Sequence, residues 1–131
     1  MTPEFVHPIS VRYLEVDMQG VVFNMWYLAY VDDAMTAYLA ARGMPYDELI
    51  GSGHDVQVVH AELDWRSGLR WATPAAVAVR SAAIGQTSFR LGFEFRRDGE
   101  PAVTAELVYV CISTEDGGKR PLPAALRAAL A

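Results

Sequence analysis

Residues 88–97 read SFRLGFEFRR, with Phe89, Leu91, Phe93 and Phe95 on one side of an extended chain and Arg90, Glu94 and Arg96 on the other. Alternation at period two marks a strand in a sheet with one dry face. DVQVVHAELDW, AVAVRSAAI and AVTAELVYVCIS are β-branched or alternating runs of strand length, and FVHPISVRYLEV near the start is a fifth. Asp98-Gly99 is the dipeptide of a tight two-residue hairpin turn, so strands over 87–97 and 102–113 are predicted to pair.

The period changes between residues 25 and 42, MWYLAYVDDAMTAYLAAR, where the only charges are Asp32, Asp33 and Arg42. Ala, Leu and Met favour helix, Asn24 is placed to be its N-cap and Gly43 its C′ residue. Such a helix is about 27 Å long. With so narrow a polar stripe, it is predicted to be surrounded by other parts of the structure. GMPYDELIGSG reads as a short helical turn and loop, RSGLRWATP as a connection, and LPAALRAALA as a terminal helical turn or tail. The order is strand, long helix, then four strands in series. No helices separate those strands, so the sheet is antiparallel and the class α+β. A five-stranded sheet wrapped around one long central helix satisfies both patterns, and that arrangement is the hotdog fold.

Composition narrows this further. The 131 residues suit one domain over 1–131, and 52% hydrophobic with 21% charged residues is globular. No apolar run reaches the roughly 18 residues of a membrane span. A net charge of −5 argues against nucleic acid or an anionic membrane as the main partner. The N-terminal MTPEFVHPISVRYLEVD has no basic and then apolar export pattern, and the lone Cys111 cannot form an internal disulfide, so a cytoplasmic location is expected. His7, His54 and His60 are scattered without ligand spacing, and there is no Gly-x-Ser-x-Gly. Neither a metal site nor a serine nucleophile is expected.

VRYLEVDMQGVVFNMWYLAYVDDA resembles the opening motif of hotdog acyl-CoA thioesterases of the 4-hydroxybenzoyl-CoA thioesterase type. There an Asp-x-x-Gly turn precedes two or three apolar residues, then Asn, His or Tyr, then a Tyr inside the helix. The matching positions are Asp17, Gly20, Val21-Val22-Phe23, Asn24 and Tyr27. VVHAELDWRSGLRW, the hairpin, and RPLPAALRAAL extend the likeness over most of the chain. It departs at Gly68 and Ala72–Ala75, where a Pro and a Gly-Asp are common in the family, and at Gly85-Gln86-Thr87-Ser88, which lacks the basic residues some members direct at coenzyme A.

The resemblance implies thioester hydrolysis with Asp17 as nucleophile or general base, and an oxyanion met by amides at the helix start, among Asn24, Met25 and Trp26. Asp17 as a plain turn residue is the alternative. Candidate substrate contacts are Gly20, Val21, Trp26, Tyr27, Val59, His60 and Ala61; candidate coenzyme A phosphate contacts are Arg66, Arg70 and Arg90. No metal or redox cofactor is expected beyond the thioester substrate. A homodimer or homotetramer is expected, with Val58–Ala61 of a second copy completing the site. An acyl-carrier-protein thioesterase, a hotdog hydratase or dehydratase, and a non-catalytic acyl-thioester binding module are the rival readings.

Overall fold

The computed structural model describes residues 3–131. Five antiparallel strands, β1 (Phe5–Ile9), β2 (His54–Trp65), β3 (Ala75–Ile84), β4 (Ser88–Arg97) and β5 (Glu100–Ser113), form one sheet in the order β1-β3-β4-β5-β2. Helix α1 (Trp26–Ala41) packs on its inner face, followed by the short α2 (Tyr46–Gly51), and α3 (Ala124–Leu130) closes one end.

The period-two reading of residues 88–97 holds residue by residue. Phe89, Leu91, Phe93 and Phe95 are buried in the core that also takes the inner face of α1, while Arg90 and Arg96 pair with Glu106 and Glu94 on the outer face. Each fully buried side chain of this kind contributes roughly 2 kcal/mol. The predicted hairpin is present: Arg97 pairs with Glu100, and Asp98 and Gly99 have φ of 51° and 81°, the left-handed pair that a two-residue turn requires. Helix α1 ends as expected at Gly43, where φ is +90°, Gly43 N–H donates to Ala40 and Met44 N–H to Leu39.

Two expectations need correction. The first strand stops at Ile9, because Glu15 takes the Arg12 N–H on its side chain and its own N–H bonds Arg12 O at 2.9 Å, closing a 3-10 turn over Tyr13–Glu15. Pro8 fits the short strand because β1 is a sheet edge. The helix is enclosed on one face only within a single chain. Tyr27, Tyr30, Val31, Ala34, Met35, Tyr38 and Leu39 face the sheet, while Leu28, Ala29, Asp32 and Asp33 are exposed.

The sheet order determines where the connections run. After β2, at one edge, the chain must cross to β3 on the far side of β4 and β5. Residues 66–74 make that crossing beneath the start of α1. Among the described residues no helix is long and apolar enough to cross a membrane.

Candidate active site

The segment leading to α1 is a small antiparallel loop. Val16 bridges Val22, Asp17 N–H donates to Val21 O at 2.9 Å, and Phe23 N–H donates to Glu15 O at 2.8 Å. Its tip is Asp17 to Gly20, closed by Gly20 N–H on Asp17 O, with Gly20 at φ +77°, where a side chain is strained. Asp17 Oδ1 accepts Gln19 N–H at 2.8 Å, so the turn role is real. Its other oxygen, Oδ2, has no hydrogen-bond partner among the described residues.

The start of α1 differs from the sequence expectation. Trp26 N–H bonds Phe23 O and Tyr27 N–H bonds Asn24 O, so the chain is already turning helically at Asn24 and Met25. An N-cap side chain needs extended backbone at its own residue. Among the described residues the Asn24 side chain makes no capping hydrogen bond, and the residue is exposed. The N–H groups of Asn24 and Met25 find no acceptor among the described residues, and both sit at the positive end of the helix. Trp26 N–H is taken, which removes it from the candidate oxyanion donors.

Tyr27 is core. It is fully buried, edge-on to Trp65, Tyr30 and Phe95, and its hydroxyl accepts Leu69 N–H at 3.0 Å. Burial raises its pKa, and the Asp17 carboxylate adds to the rise. The crossing segment thus clamps the loop: Leu69 O accepts Val22 N–H at 2.8 Å, Val21 bridges Arg70, and Arg97 Nη1 donates to Gly68 O at 2.7 Å.

Gly68 explains how closely the two segments approach. A Cβ there would lie 2.8 Å from Val21 Cβ, a contact that side-chain rotation cannot relieve. Gly68→Ala is expected to push the clamp off the loop and destabilise by about 1–3 kcal/mol, read as a lower thermal midpoint together with reduced turnover. A parental midpoint contradicts this packing.

The remaining candidates separate. Trp26 turns toward β1, under the Arg12 guanidinium at 5.6 Å, and lines a cavity of about 370 Å³ with His7, Ser10 and Glu15. Val59, His60 and Ala61 are exposed along the β2 edge, with Val59 at a bulge. Of the arginines, Arg70 lies beside Gly20, 3.5 Å from where its Cβ would be, and Arg66 is exposed at the end of β2. Arg90 is bound to Glu106 at 2.8 Å on the outer sheet face, away from the loop. Cys111 is buried and burial pushes its thiol up, as expected of a core residue. No cluster of three or more potential metal ligands occurs among the described residues.

Sequence reasoning missed Glu15. It is only 3% exposed, and its carboxylate accepts the Tyr30 hydroxyl at 2.7 Å and Arg12 N–H and Nε at 2.9 Å each. The signal was an acid inside an apolar run three residues after an arginine.

An antiparallel sheet packed on one long helix is the hotdog arrangement, and here an acidic turn precedes the unpaired first amides of that helix. Residues 11–130 match the thioesterase-like superfamily, and the chain belongs to it. Among its relatives, the 1,4-dihydroxy-2-naphthoyl-CoA hydrolase of Synechococcus elongatus is 24% identical, over 89% of this chain and 88% of that one. A hypothetical protein of Aquifex aeolicus superposes with a TM-score of 0.91 at 19% identity, covering 97% of this chain and 99% of that one. A Thermus thermophilus thioesterase solved with coenzyme A and Zn superposes at 0.80 with 28% identity, covering 95% and 90%.

Proposed function

We propose that the chain hydrolyses an acyl-CoA thioester, with Asp17 supplying the reacting carboxylate and the Asn24 and Met25 N–H groups receiving the carbonyl oxygen. The carrying observation is the pair of unpartnered amides at the start of α1, together with a carboxylate in the turn just before it that has one oxygen uncommitted. Charge developing on the carbonyl oxygen is met there by donors already in place. Asp17 either attacks the carbonyl carbon, expelling the coenzyme A thiolate and leaving a mixed anhydride for water to cleave, or takes a proton from the water that attacks. Either route consumes one water and yields free acid and thiol.

Coenzyme A as the carrier is supported by Arg70 at the loop, a cation with no carboxylate partner among the described residues, and by the coenzyme A substrates and ligand in the relatives' names. A thiol-release screen across aromatic, short and long acyl-CoA thioesters, with acyl carrier protein thioesters in parallel, tests the assignment. Release from coenzyme A substrates is expected; release from neither carrier contradicts it.

A second copy is part of this reading. Neither the cavity of about 890 Å³ over the sheet nor that of about 370 Å³ beside Trp26 is lined by Asp17, Asn24 or Met25, and in one chain Asn24 and Met25 are exposed and Asp17 half-buried. The edge strand β2 leaves Val58 and Val59 about half exposed, at 49% and 58%. Pairing of two β2 edges would cover them. Sedimentation is expected to show a dimer or tetramer at assay concentration, and a fully active monomer contradicts it.

A further inference from the structure

Glu15 and Ser113 are the buried polar side chains among the described residues, and Glu15 alone carries charge. Burial pushes its carboxyl up, but the Arg12 N–H, the Tyr30 hydroxyl and the Arg12 guanidinium outweigh it and hold the group below the usual carboxylate range. It is ionised at neutral pH. A buried, paired carboxylate is a weak source of stability, since apolar residues of similar volume often serve as well. What it supplies is direction, through hydrogen bonds with defined geometry.

Those bonds reach both halves of the proposed site. The Glu15 side chain holds Tyr30, one turn into α1, while its backbone carbonyl holds Phe23 N–H, immediately before Asn24. Asp17 follows two residues later on the same arm. We propose that Glu15 is the positioning residue of this site, setting where the Asp17 carboxylate stands relative to the Asn24 and Met25 amides through its bond to Tyr30. The inference rests on the thioesterase reading of Asp17. Arg12 completes the anchor from outside: Nη2 contacts Glu15 Oε2 at 2.8 Å, and the guanidinium lies over Trp26, the first residue of α1.

Tyr30→Phe is the cleanest test, because it deletes one hydroxyl and leaves Glu15 its Arg12 donors. The variant is expected to fold with a midpoint close to the parent's. Displacement of a reacting group by a fraction of an ångström should lower kcat at least ~10-fold, with KM within about threefold. Backbone amide exchange over residues 16–25 should accelerate in the same variant, while that of β4 and β5 stays parental. Glu15→Gln should move kcat and exchange in the same direction and further. Parental kcat and parental exchange in Tyr30→Phe overturn the proposal, as does a loss of activity that only tracks the unfolded fraction. A parent that cleaves no thioester overturns the underlying reading, and is recognised from the parent alone, before any variant is compared.

Discussion

Replacing Ala34 with aspartate is expected to abolish cooperative folding or come close to it. Ala34 is fully buried in the middle of α1, where the helix faces the sheet. A carboxylate there has no room and no partner. An uncompensated buried charge costs on the order of 4 kcal/mol or more, against a total stability of about 5–15 kcal/mol for a domain. Denaturant unfolding followed by circular dichroism should show a midpoint shifted far down, or no transition. Ala37, one turn on, is only half-buried, so Ala37→Asp should cost distinctly less. A soluble Ala34→Asp protein with the parental midpoint contradicts this seating of the helix.

Much of the sheet was legible because its pattern depends on neighbours along the chain. Phe89 to Phe95 alternate, Asp98-Gly99 turns, and Gly43 ends the helix, each by local chemistry that a sequence displays directly. The surroundings of α1 were not legible in the same way. Ala29, Ala37 and Leu28 look apolar whichever way they point, so the few charges hid an ordinary two-sided helix whose outer face is left to a second copy or to solvent. Strand β1 was overestimated for a different reason: the extended-looking run through Val11 is broken by a side chain, Glu15, folding back on Arg12.

The site was legible where the motif is contiguous and obscure where it depends on the crossing connection. Asp17 and Gly20 occupy the turn expected of them. Asn24 was read as a cap from residue type, but the helical turning begins before it, with Trp26 N–H on Phe23 O, and its own amide is left without an acceptor among the described residues. Tyr27 matches the motif, yet Leu69, 42 positions away, takes its hydroxyl. Arg90 and Arg70 are equal as letters; pairing with Glu106 on the outer face sets Arg90 apart, and a bridge to Val21 brings Arg70 to the loop. Such distinctions come from long-range register.

Asp17→Asn should reduce turnover more than any other substitution considered. Asparagine keeps the oxygen that accepts Gln19 N–H, so the turn and the loop ladder survive. What disappears is the negative charge on the carboxylate, and with it both attack on the carbonyl and proton removal from water. The loss should fall on kcat, by at least ~100-fold. Binding of a non-hydrolysable acyl-CoA analogue should persist or tighten slightly, because a repulsion with the thioester's electron-rich atoms is relieved. If Asp17 serves the turn alone, asparagine is among its best substitutes and nothing measurable should change.

The decisive measurement is therefore kcat of Asp17→Asn relative to the parent on the best thioester from the screen, with analogue affinity and thermal midpoint recorded on the same preparations. Retained binding, a parental midpoint and a kcat reduced at least ~100-fold are the predicted result; turnover within a few-fold of the parent contradicts the assignment of the chemistry to Asp17.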